Sequence, residues 1–72
     1  MEILFPGLAA RLKPLRQAKK VTQKQMAKLL DYTEQHYQKI EYGQVNIPIS
    51  TLIFLADFFG VTTDYLLGRD ET

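Results

Sequence analysis

Helix start and stop signals divide this chain into short pieces, and that punctuation limits the fold more than any other feature. Thr22, Thr33, Ser50 and Thr62 each stand just ahead of an apolar stripe, and Gly43, Gly60 and Gly68 each stand just behind one. Threonine and serine at such positions accept a hydrogen bond from an orphaned first-turn amide. Glycine takes the left-handed backbone that ends a helix. Thr22 and Gln25 have the spacing of a capping box. Alternation of period two, the mark of a half-buried strand, is nearly absent. The expected class is all-α, a compact bundle of five short helices.

The apolar positions sort onto those helices. Leu8, Leu12 and Leu15 share one face of the first. Pro14 falls among them, so that helix is either kinked or regular only from about Lys13. Met26, Ala27 and Leu30 form the buried stripe of the second, and Tyr37 and Ile40 that of the third, which runs from Thr33 to Tyr42. Asn46-Ile47-Pro48-Ile49 reads as a connector that cannot continue a helix. Ser50 is expected to cap the fourth helix, with Leu52, Leu55, Ala56 and Phe59 facing inward, and Thr62 to cap a fifth from Thr63 to Leu67.

Residues 1–72 read as one domain, with 1–7 as an N-terminal extension and 22–43 as its most distinctive unit. The sequence stops just after the fifth helix, so no separate dimerisation or effector domain is expected. A chain this short buries only about 60% of the surface it exposes when unfolded, and an apolar share of 46% can still fill a core. With no cysteine, neither a disulfide nor a thiolate metal site contributes.

The residue inventory argues against catalysis. One histidine, one serine and no cysteine supply neither a nucleophilic triad nor a metal-ligand set. The scattered glycines make no phosphate cradle, and no cofactor, metal or small-molecule ligand is expected. Ile3-Leu4-Phe5 is cut short by Pro6, unlike a signal-peptide core, and no run approaches the ~20 apolar residues that span a bilayer. A cytoplasmic protein without a membrane partner is the expectation.

A net charge of +1 conceals a strong asymmetry. Residues 1–44 carry eight basic groups (Arg11, Lys13, Arg16, Lys19, Lys20, Lys24, Lys28, Lys39) against four acidic ones (Glu2, Asp31, Glu34, Glu41), or +4. Residues 45–72 carry Arg69 against Asp57, Asp64, Asp70 and Glu71, or −3. One end of such a dipole can approach phosphates while the other stays away.

That basic half contains two short helices joined by a tight turn, from Thr22 to Gly43. Such helices cross closely, which requires a small residue in the first, here Ala27. The turn position that favours positive φ is Asp31, where glycine would be freer.

These residues resemble the phage-repressor/Cro-like (XRE-type) helix-turn-helix family, from Arg11 to Gly68. Arg11-Leu12-Lys13-x-Leu15-Arg16 is similar to its first helix, Thr22-Gln23-x-x-Met26-Ala27 to the start of its second, and Ile40-Glu41-x-Gly43 to the end of its third. Leu52-x-x-Leu55-Ala56 and Asp64-Tyr65-Leu66-Leu67-Gly68 are similar to its C-terminal signature.

The resemblance implies a lambda-repressor-like bundle whose third helix enters the major groove of double-stranded DNA. It implies base contacts from Thr33, Glu34, Gln35, His36 and Lys39. Gln35 leads, because its amide can pair twice with adenine. Phosphate contacts are implied for Gln23, Lys24, Gln44 and Asn46, and an ion pair between the first and third helices for Arg16 and Glu41.

Asp31, Tyr37, Pro14 and Phe54 depart from the family pattern. The Tyr37 hydroxyl needs a partner or an exit to solvent. Ile47, Ile49, Phe54 and Phe58 are expected to form an exposed apolar patch, the surface of a weak homodimer strengthened on DNA, or of a protein partner. The function implied is a sequence-specific transcriptional regulator, a repressor acting by occupancy. Two alternatives stand beside it: an antitoxin or adaptor acting mainly through protein contact, and a bundle that has lost DNA binding.

Overall fold

The computed structural model describes residues 6–69, and among them the chain forms five helices and no strand. These are α1 (Pro6–Ala18), α2 (Gln23–Leu30), α3 (Glu34–Glu41), α4 (Ile49–Phe59) and α5 (Thr63–Leu66). α1 packs on α3 and α5, α2 on α3, and α4 on α5. Leu8 and Leu12 of α1 meet Met26, Ala27, Tyr37, Ile40, Leu55, Ala56 and Leu66 in one buried cluster. Leu15, Leu30, Leu52 and Phe59, expected on inner faces, are half-buried against it. Arg11 lies over the Tyr65 ring, 5.0 Å from its centre, and joins α1 to α5.

The helix ends repeat one device. After each of these helices, one amide closes back three positions and the next five: Lys20 to Gln17 and Val21 to Arg16, Asp31 to Lys28 and Tyr32 to Ala27, Gly43 to Ile40 and Gln44 to Lys39. Gly60 with Val61 and Gly68 with Arg69 repeat the pattern after α4 and α5. This is the Schellman motif, which needs a left-handed residue at its centre. Glycine supplies it three times. Lys20 (φ 59°) and Asp31 (φ 60°) supply it at a steric cost.

Three expectations need correction. α4 begins at Ile49, with Pro48 as its N-cap and no side-chain cap bond, so Ser50 lies inside the first turn. Proline restricts the residue before it, not the one after, and a helix can start directly behind Pro48. α1 runs unbroken from Pro6 through Pro14, which removes a start near Lys13. The carbonyl of Ala10 loses its usual donor there, but both residues are exposed, and water can replace it. Gly7 belongs to α1 rather than to an extension. A Cβ there would lie 2.6 Å from the Leu67 carbonyl oxygen and 2.8 Å from the Gly68 Cα, so α1 meets the end of α5 backbone to backbone. Residues 1–5 of the expected extension lie outside the described residues.

Candidate nucleic-acid interface

α2 and α3 are set by local chemistry. Thr22 Oγ1 accepts from the Gln25 amide at 3.0 Å, and Gln25 Oε1 accepts from the Thr22 amide at 2.8 Å, completing the capping box. Asp31 turns the chain in left-handed geometry (φ 60°, ψ 38°). Thr33 Oγ1 then accepts from the His36 amide at 3.1 Å and starts α3. Ala27 and Ile40 are buried where the two helices meet the core.

A polar network fixes α3 to the other two helices. Arg16 donates through Nε to Glu41 Oε2 (2.8 Å) and through Nη2 to Oε1 (3.0 Å), and its Nη1 reaches the Val21 carbonyl at 2.9 Å. Gln23 Nε2 donates to Glu41 Oε1, and Gln38 Nε2 donates to Gln23 Oε1, each at 3.2 Å. Burial alone would raise the Glu41 carboxyl, but the hydrogen bonds and charge of Arg16, with the hydrogen bond from Gln23, outweigh it and hold the group below its ordinary value. The hydrogen bond to Glu41 raises Arg16 despite the opposing effect of burial.

Tyr37 is 0% exposed, and its hydroxyl finds neither a hydrogen-bond partner of good geometry nor an exit to solvent. Both Glu41 oxygens are already engaged by Arg16 and Gln23. Burial, with the Glu41 charge beside it, pushes that hydroxyl far above the usual tyrosine range.

The opposite side of α3 is open. Thr33, Glu34, Gln35, His36 and Lys39 are all exposed, on or just before the helix whose inner face holds Tyr37, Ile40 and Glu41. Glu34 in the first turn and Lys39 in the last also suit the helix dipole. The Thr33 oxygen is occupied by its cap bond. Lys24, Gln44 and Asn46 are exposed around this surface. Gln23 is half-buried, its carbonyl oxygen and one amide hydrogen used within the network. A shallow groove lined by Lys24, Lys28, Asp31, Tyr32 and Glu34 separates α2 from the start of α3.

The apolar patch is arranged differently from expectation. Ile49 is 75% exposed, and Phe54 38%, but Ile47 and Phe58 are half-buried. The Phe58 ring stacks on Phe54 at 5.9 Å and has the Lys19 ammonium 4.8 Å from its centre. Ile53, on the same helix, is exposed and was not anticipated.

Tyr32 also escaped sequence reasoning. Its hydroxyl pairs with Thr51 Oγ1 at 2.8 Å, and its ring meets the His36 ring edge-on, 4.7 Å between centres. Both contacts are made to residues distant or polar enough that no periodic pattern marks them.

A family model described as "Helix-turn-helix" matches residues 12–66. The SPbeta prophage-derived uncharacterized HTH-type transcriptional regulator YonR of Bacillus subtilis (strain 168) is 42% identical over 57 residues, covering 79% of this chain and 53% of the relative. The HTH-type transcriptional regulator ImmR of the same organism is 38% identical over 65 residues, covering 90% of this chain and 51% of the relative. The chain thus spans about half the length of the curated relatives it matches.

Proposed function

The chain belongs to the helix-turn-helix family, and on that premise we propose that it is a sequence-specific DNA-binding transcriptional regulator, a repressor acting by occupancy of its site. The observation that carries the reading is the two-sided character of α3. Its inner face is locked by Tyr37, Ile40 and the Arg16–Glu41 pair, while Glu34, Gln35, His36 and Lys39 are exposed beside Thr33. A rigid helix presenting polar side chains is what major-groove readout requires. The relatives' descriptions as transcriptional regulators support the same role.

In this reading Gln35 pairs with adenine, and Glu34, His36, Thr33 and Lys39 complete the reading edge. Lys24, Gln44, Asn46 and the remaining amide hydrogen of Gln23 hold phosphates, helped by the unpaired first-turn amides of α2. Gln35→Ala is expected to relax preference at one base step by about 1–3 kcal/mol, whereas Lys24→Ala weakens all duplexes alike. Binding-site selection with both variants reads the difference, and identical effects of the two would contradict the assignment.

The regulator works as a weak homodimer, strengthened on DNA, through Ile47, Ile49, Phe54 and Phe58; the exposure of Ile53 on the same helix supports this reading. Its extents of 31 × 30 × 19 Å suit copies placed side by side, since half-sites one DNA turn apart are separated by roughly 34 Å. Light scattering that finds a strict monomer, free and with two half-sites, would overturn the dimer. The same exposed apolar residues support a second reading, an antitoxin or adaptor gripping another protein, for which co-purification of a partner is the test. The protein acts in the cytoplasm, where its DNA lies; no helix among the described residues is long and apolar enough to cross a membrane.

A further inference from the structure

We propose that Tyr32 is a specificity-determining positioning residue, which with Thr51 fixes the His36 ring at the reading edge of α3. The inference rests on the DNA-reading function proposed above and adds to it a residue outside the reading edge named there.

Tyr32 is held at both ends. Its amide donates to the Ala27 carbonyl at 2.9 Å, closing the left-handed turn, and its hydroxyl pairs with Thr51 Oγ1 at 2.8 Å. Thr51 is buried on α4, an element that contributes nothing to the reading edge itself. The Tyr32 ring between these anchors is half-buried against the core and cannot swing freely. His36 meets it edge-on, with ring centres 4.7 Å apart and planes at 88°. That is a favoured geometry for an aromatic pair.

An exposed histidine without such a neighbour samples several rotamers, and ordering it on a base edge costs conformational entropy. The Tyr32 ring removes part of that cost before DNA arrives, because interactions held by a rigid supporting shell lose less on binding. Thr51 is therefore coupled to base choice through Tyr32, across 19 residues of sequence. The adjoining Thr33 cap bond to the His36 amide fixes the backbone of the same residue. The side chain and main chain of His36 are thus set by two independent contacts.

His36 is the sole histidine, so its ring gives one unambiguous set of NMR signals. The test combines those signals with binding-site selection, using the full chain and its Tyr32→Phe, Tyr32→Val, Thr51→Val and His36→Ala variants. Thermal melting of each variant keeps loss of folding apart from loss of selectivity. Tyr32→Val is expected to move the His36 ring signals toward free-histidine positions and to lower preference at one base step by roughly two- to tenfold, the range expected for one aromatic pair. Tyr32→Phe and Thr51→Val should each give a smaller loss at that same step. In the His36→Ala background the Tyr32 substitutions should change that step no further.

Unchanged ring signals and unchanged preference in folded Tyr32→Val overturn the proposal while leaving the DNA-reading function intact. A folded wild-type chain that selects no sequence overturns that function and this proposal together.

Discussion

At Asp31 the backbone holds a left-handed conformation that glycine would adopt without steric cost. Asp31→Gly is expected to raise stability by about 0.5–1 kcal/mol, the steric relief being offset in part by the greater freedom of glycine in the unfolded chain. A thermal melt checks it; an unchanged or lower Tm would contradict it. Glu41 supplies the opposite case. Its pair with Arg16 is shielded from solvent, with 11% of the arginine side chain and none of the carboxylate exposed. Removing the carboxylate in Glu41→Ala should cost roughly 3–5 kcal/mol by stranding the guanidinium. Because the folded protein holds this carboxyl below its ordinary value of 4.5, its contribution is complete above that value. It is lost as pH falls through the folded value. Melting curves taken from neutral to acid pH should show a steep acid decline in wild type and a shallower one in Glu41→Ala.

Between elements, the legible contacts were those whose chemistry is local. The caps at Thr22, Thr33 and Thr62 each require only a hydroxyl and an amide three residues on, and all three form. Ser50 carried the same signal and does not cap, because the fixed backbone of Pro48 starts α4 earlier. Lys20 takes a left-handed conformation that its residue type disfavours, so nothing in the sequence marked it. The contact of Gly7 with Leu67 and Gly68 joins the two ends of the fold and has no periodic signature. Gly7→Ala should separate α1 from α5 and destabilise the protein by about 1–3 kcal/mol, since backbone rather than a movable side chain must give way. A fall in the denaturant midpoint measures this, and an unaltered midpoint would show that the two helices part easily.

On the scale of the molecule, five short helices, a basic half and an outward-facing α3 were readable from residue order. The exposed face of α3 proposed to read DNA was legible because helical period separates Tyr37 and Ile40 from Gln35 and Lys39. Its support was not. The chain of contacts from Arg16 through Glu41 and Gln23 to Gln38 spans three helices, and the Tyr32–Thr51 bond spans α3 entirely. The Arg16–Glu41 pair, 25 residues apart, came into view only through family resemblance. Long-range polar contacts depend on tertiary placement, which single-sequence periodicity does not encode.

In the function proposed, this assembled face reads a DNA sequence. Titrating the protein against the duplex upstream of its own gene and a scrambled duplex, at two salt concentrations, tests it most directly. A preference of roughly 10³-fold or more for one duplex is expected, with affinity for both falling as salt rises and counterions are released. Equal, weak binding to both duplexes would contradict it.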